Sequence, residues 1–143
     1  MIRLAERLWI GSADTSWRDY RSVKIAAILN VAHDLKGVVG WPDVEYTQVG
    51  LIDGPGNALS TYYAAVLSLH GLIKRHRTLV ICHECSRSMA VAAMYLNIGA
   101  GYNWKALITL LLERLDTDLP VPHEAHREAF DKMDWCTLQT LTK

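Results

Sequence analysis

Cysteine is scarce in this chain of 143 residues: there are three, Cys82, Cys85 and Cys136. An odd count this small cannot staple a disulfide scaffold, and a reducing, cytoplasmic setting is the expectation. Long apolar runs are missing too. None approaches the roughly 20 residues needed to cross a bilayer, and Met1–Arg7 lacks the apolar segment of a cleaved signal peptide. Neither sign of charge is in excess, with 15 Lys and Arg against 15 Asp and Glu. Global attraction to nucleic acid or to an anionic membrane is therefore not expected, and any anion must be captured locally. There is no repeat, no low-complexity tract and no linker. What is present is the balance of a globular protein, 50% hydrophobic and 21% charged. Residues 1–143 are expected to form one domain, a monomer with a core of useful size.

Strand-like and helix-like segments alternate. Leu8-Trp9-Ile10, closed by Gly11-Ser12, reads as an edge strand, and residues 16–23 as a short helix. Ile25 to Val31 is nearly all apolar and reads as a buried strand. Gly37 to Asp43 reads as a loop and Tyr46 to Leu51 as a third strand. Asp53-Gly54-Pro55-Gly56-Asn57 is a strong turn signal. Ser60 is placed to cap a helix running to about Arg75. Thr78 to Cys82 is a fourth strand. Helices are expected over Ser88–Ile98, stopped by Gly99, over Trp104–Leu115, and from Glu124 to about Leu138. This order predicts an α/β fold, a central, mostly parallel sheet of four to five strands flanked by helices. Ligands of such sheets sit at the carboxyl ends of strands. Attention therefore falls on the turns near Asn30, Asp53 and Cys82.

The turn after the fourth strand carries the chemistry. Leu79-Val80-Ile81-Cys82 runs into His83-Glu84-Cys85-Ser86, and Arg87-Ser88 opens a helix. Amides at a helix N-terminus point outward with partial positive charge and bind phosphate. Arginine adds a planar fork for two phosphate oxygens. A cysteine at the base of such a loop has its thiolate favoured by the same amides and charge. It can attack a bound phosphoryl group in line. The leaving oxygen then needs a proton, and Asp53, after the third strand, stands where an acid can supply it.

These residues resemble the cysteine-dependent dual-specificity phosphatases of the protein tyrosine phosphatase superfamily. Leu8-Trp9-Ile10-Gly11-Ser12 is similar to that family's opening strand, and Ile28-Leu29-Asn30-Val31-Ala32 to its second. Leu51-Ile52-Asp53 is similar to the strand that ends in its general acid. Val80-Ile81-Cys82 through Ser86-Arg87-Ser88 resembles the signature V-H-C-x5-R-[ST]. Arg114, with Pro120 and Pro122 after it, is similar to the late helix and its following proline. The resemblance implies a phosphatase-like fold and a phosphomonoester hydrolase needing no cofactor and no metal. Its substrate would be a phosphorylated protein, on tyrosine or with dual specificity, or a small phosphomonoester. In this reading Cys82 forms a phosphocysteine and Arg87 holds the phosphoryl oxygens. Asp53 protonates the leaving group and then helps activate water. Ser88 assists departure of the cysteine in the second step. His83, Glu84, Cys85, Ser86 and Arg87 make the phosphate-binding loop.

The chain departs from the family in two places. Four residues, not five, separate Cys82 from Arg87, and the usual loop glycine is absent where Cys85 stands. Ile81 replaces the histidine before the cysteine. Losing one donor to a developing charge costs on the order of 10²–10³ in rate. The alternative is therefore a weak or inactive pseudophosphatase that binds phosphorylated partners. Cys82-x-x-Cys85 also fits a redox pair in which Cys85 bonds to the nucleophile. With His123 and His126 it spells a poor zinc pattern. Trp41-Pro42-Asp43 spells an acid-loop motif, but it precedes its strand and belongs at the opposite edge of the sheet. Cys136 reads as a half-buried helix residue. The Lys74–Arg77 cluster reads as a solvated helix end, and Trp9, Trp41 and Trp104 as packing residues.

Overall fold

A computed structural model describes residues 1–15, 17–36, 43–115, 119 and 121–143. Five strands form one sheet: β1 (Ile2–Ala5), β2 (Leu8–Ser12), β3 (Ala27–Ala32), β4 (Glu45–Leu51) and β5 (Thr78–Cys82). Their order is β1-β2-β5-β3-β4. Only β1 runs antiparallel to its neighbour; β2, β5, β3 and β4 are mutually parallel. The expected α/β fold with a mostly parallel sheet is thus what the chain forms. Leu8–Ser12 is not the edge strand it looked like. Ile2–Ala5 covers it, paired through Arg3 with Trp9 and Ile2 with Ile10.

The helices are α1 (Trp17–Ser22), α2 (Leu59–Arg75), α3 (Ser86–Asn97), α4 (Trp104–Leu115), α5 (Glu124–Lys132) and α6 (Trp135–Leu141). The period of two along β5 sorts the core into two layers. Leu79 and Ile81 face Trp9, Tyr20 and Ile25 on the α1 side. Val80 and Cys82 face the larger cluster, which gathers Leu69, Met89, Leu107, Phe130 and Leu138 from α2 to α6. Every β5 residue is buried. The run Leu79–Cys82, apolar throughout, therefore carries no sign of which face Cys82 takes; the pairing sets it.

Three expected boundaries shift. Helix α2 starts at Leu59 with Ala58 at the N-cap and no side-chain cap, so Ser60 sits in the first turn and does not cap. The nearby Asn57 is committed elsewhere, bonding Ile52 on both its N–H and C=O. Helix α3 begins two residues early, at Ser86, which puts Arg87 and Ser88 in its first turn. The single final helix is two: Met133 is extended, and the Asp134 carboxylate accepts from Thr137 N–H at 3.0 Å to start α6. That is an N-cap interrupting an otherwise continuous apolar pattern. Cys136 is exposed on α6, not half-buried. Trp41, Pro42 and Pro120 lie outside the described residues, as does most of the expected loop over 37–43. Asp43 is exposed just before β4. Its neighbour Glu45 pairs with Ala27, and Ala27 with Thr78, so it lies at the edge opposite Cys82. The basic cluster ends α2 as expected, with Arg75 and His76 both paired to Glu45 at 3.2 and 2.8 Å.

Candidate active site

The register that makes the sheet also gathers the site. Ser12 pairs with Cys82 and Asn30 with Ile81, so β2, β5 and β3 end together. Strand β5 lies between β2 and β3, where chain connections diverge, the usual place for a ligand in a parallel sheet. From Cys82 the chain makes a three-residue bend and enters α3. Cys85 closes the bend with φ +70°, in the left-handed region that favours glycine. A non-glycine residue there costs on the order of 1 kcal/mol, the local consequence of the shortened loop.

Cys82 is 1% exposed. Its Sγ accepts the Ser88 backbone N–H at 3.3 Å, and the Ser88 hydroxyl lies 3.4 Å away. That hydroxyl can donate to Cys85 O (3.2 Å) or Gly11 O (3.5 Å), or turn to a Cys82 thiolate. A Cβ added at Gly11 would stand 2.5 Å from Thr15 Oγ1, so a larger residue there would displace the Thr15 side chain. The four-residue spacing thus keeps Ser88 on the sulfur.

Arg87 is 4% exposed, one turn of chain from the sulfur. Its Nη1 donates to Leu51 O and to Asp34 Oδ1, each at 2.8 Å. Its Nε is buried and makes no hydrogen bond among the described residues. A buried guanidinium donor without a partner is costly unless a ligand completes it. Asp34 was not singled out in the sequence. Asn30 supports it from below: the buried amide donates to Leu35 O at 2.7 Å and accepts from Ala32 N at 2.9 Å, shaping the turn that carries Asp34. Partial burial pushes the Asp34 carboxyl up, but the Arg87 bond, its own backbone and the charges of Arg87 and His83 outweigh this and bring it below the ordinary value.

Asp53 follows β4 on a loop knitted by Asn57 and reaches the start of α3. Its Oδ1 accepts the Ser86 hydroxyl at 3.0 Å and lies 3.0 Å from His126 Nε2. Burial raises the Asp53 carboxyl; hydrogen bonds from His126 and Ser86, together with the nearby charge of Arg87, more than reverse this and lower it. His126 is fully buried on α5, and its Nδ1 lies 2.7 Å from Tyr62 Oη. It stood out in the sequence only as half of a possible zinc pair. Among the described residues no group of three or more His, Cys, Asp or Glu side chains is arranged to hold a metal.

The remaining loop residues sit at the mouth. His83 is exposed, with Nε2 3.5 Å from Asp34 Oδ1. Glu84 is exposed. Cys85 is buried beside Cys82, both thiols free, and its pKa is raised by burial and then by the charge of Cys82. The structure therefore brings Cys82, Arg87, Ser88, Ser86 and Asp53 to one strand-end site. It leaves His83 and Glu84 at the rim.

No protein-family model matches this sequence, and no curated protein matches it. Solved structures do. DUSP15 superposes with a TM-score of 0.83 at 18% identity, covering 99% of this chain and 92% of the other. Human DUSP28 gives 0.78 at 19% identity, with 98% and 99% covered. A variant of P. aeruginosa TpbA in complex with pTyr gives 0.71 at 14% identity, with 98% and 88% covered. The chain has the fold of the dual-specificity phosphatases within the protein tyrosine phosphatase superfamily.

Proposed function

We propose that this protein is a metal-independent phosphomonoester hydrolase acting on phosphotyrosine-type or dual-specificity substrates, with residues 1–143 as its catalytic domain. The observation that carries the reading is the constellation at the end of β5. A buried sulfur bonded by Ser88 shares a helix-opening loop with a buried arginine whose Nε has no partner. An aspartate is tied to the same loop through Ser86. A neighbour's complex with pTyr supports the substrate class.

In this reading the α3 amides and Arg87 hold the phosphoryl oxygens. The Cys82 thiolate attacks phosphorus, and the P–O bond to the leaving group breaks. Asp53 gives that oxygen its proton. Water then attacks the phosphocysteine, Asp53 takes a proton from it, and the P–S bond breaks with Ser88 donating to the departing sulfur. The test is hydrolysis of p-nitrophenyl phosphate under reductant, with and without chelator. Wild type is expected to turn over in both, and Cys82→Ser to lose turnover. Turnover unaffected by that substitution refutes the reading.

The short loop favours a second reading, a phosphate-binding protein with little turnover. It offers one amide fewer and places Cys85 at φ +70°. Binding of phosphate without hydrolysis, abolished in Arg87→Ala, would identify it. A redox pair is less favoured, since it gives no role to Arg87 or Asp53.

A further inference from the structure

The acid candidate is held from behind by a polar chain whose middle members, Tyr62 and His126, are buried. Asn57 Oδ1 accepts Ile52 N–H at 2.8 Å, which fixes the orientation of its amide. Asn57 Nδ2 therefore points its hydrogens at Ile52 O, Gly54 O and, at 3.2 Å, Tyr62 Oη. With its oxygen receiving that bond, Tyr62 has its own proton to give to His126 Nδ1, 2.7 Å away. An imidazole that accepts at Nδ1 carries its hydrogen on Nε2. That hydrogen points at Asp53 Oδ1 over 3.0 Å. Tyr62 is 2% and His126 0% exposed, so water does not compete for the bond between them. Asp53, by contrast, has a side chain 42% exposed, and its Oδ2 makes no hydrogen bond among the described residues.

We propose that His126 is a positioning residue of this site: locked by Tyr62 as the neutral Nε2–H tautomer, it occupies Oδ1 of Asp53 and thereby reserves Oδ2 as the oxygen that delivers the proton to the leaving group. The inference rests on the phosphatase reading for its functional half. Two donors on Oδ1, His126 and Ser86, place the carboxyl proton on Oδ2 whenever Asp53 is protonated. They also aim that oxygen away from α5. The other charged or titratable groups facing the pair are Arg87 on α3 and His123 at the start of α5, with the Tyr62 hydroxyl on α2. Burial lowers the His126 pKa against the opposing pull of Asp53, the direction that favours a neutral ring donating from Nε2.

The sign of the effect follows. A donor to Oδ1 favours the carboxylate, so removing it raises the Asp53 pKa, and an acid with a higher pKa stays protonated to higher pH. The experiment is the pH profile of kcat for phenyl phosphate, whose poor leaving group needs the acid. It compares wild type, His126→Phe, His126→Gln and Tyr62→Phe. The descending limb is expected to move up by about one pH unit in His126→Phe. It should move in the same direction but less in Tyr62→Phe, and return to the wild-type position in His126→Gln, whose amide can restore the donor. Equal loss of kcat at every pH with an unmoved limb would overturn the proposal. Carbon-detected titration of the Asp53 carboxyl and nitrogen shifts of the His126 ring, in the free proteins, test it without turnover. An Nδ1–H tautomer in wild type, or an Asp53 titration unchanged by His126→Phe, would overturn it as well. Absence of Cys82-dependent turnover would instead remove the phosphatase reading and leave the Asp53–His126 pair to be judged by these spectra.

Discussion

Arg87 ties the ends of two strands to the start of α3. One nitrogen holds Leu51 O and Asp34, while Nε meets no acceptor among the described residues. A guanidinium spreads its donors over three nitrogens in a fixed plane, whereas an ammonium concentrates its three donors on one atom of a flexible stem. Arg87→Lys is therefore expected to keep charge but lower kcat/KM by about 10²–10³, the scale of one lost donor to a developing charge. Steady-state kinetics beside a far-ultraviolet spectrum would check it. A loss below about threefold would mean that Arg87 is structural. His126 shows the same economy: one ring joins α5, α2 and the loop after β4.

At the scale of elements, the site depends on how closely β4 approaches the turn after β3. An added Cβ on Gly50 would stand 2.9 Å from the Cα of His33, a backbone atom that cannot rotate away. His33 also donates its N–H to Leu51 O, the carbonyl that Arg87 uses. Gly50→Ala is expected to push the His33–Asp34 turn outward, destabilise the fold by about 1–3 kcal/mol, and weaken phosphate inhibition. Chemical denaturation and inhibition by inorganic phosphate measure the two effects. Unchanged stability would show that the turn yields freely. Element boundaries show why patterns mislead here. Glu124 to Leu138 reads as one amphipathic helix, yet the Asp134 cap and the Tyr63 hydroxyl, which accepts Asp134 N–H at 2.6 Å, divide it.

At the scale of the whole molecule, folding lowers the pKa of two histidines, one buried and one half-buried. His126 is held below its ordinary pKa by burial, and His70 by burial and then Lys74. In the unfolded chain both return to about 6.5. As pH falls through that value the unfolded state takes up protons first, so stability present above it is lost progressively below. Asp34 and Asp53 are lowered instead, so their contributions disappear only at more acid pH, below about 3.9. Tm is expected to be level near pH 7.5, below the range where Cys85 titrates, and to decline from about 6.5 toward 5. His126→Gln should flatten part of that slope. A flat wild-type curve over this interval would show that His126 is charged in the folded protein.

The sequence by itself determined the α/β alternation, four of the five strands, and the residues of the strand-end loop. Each rests on local chemistry: apolar β-branched runs, helix starts and stops, and a cysteine and an arginine flanking a helix N-terminus. It did not reveal β1, because Ile2–Ala5 is short and shares its four residues with Arg3. Nor did it reveal Asp34, which is an ordinary turn aspartate until β3 lies beside β5. His126 looked like half of a metal pair because only its spacing to His123 was visible. Its Asp53 and Tyr62 partners lie 73 and 64 positions away. Tertiary structure alone decided those contacts, together with the face on which Cys82 lies, because a wholly apolar strand has two equivalent faces until its neighbours choose one.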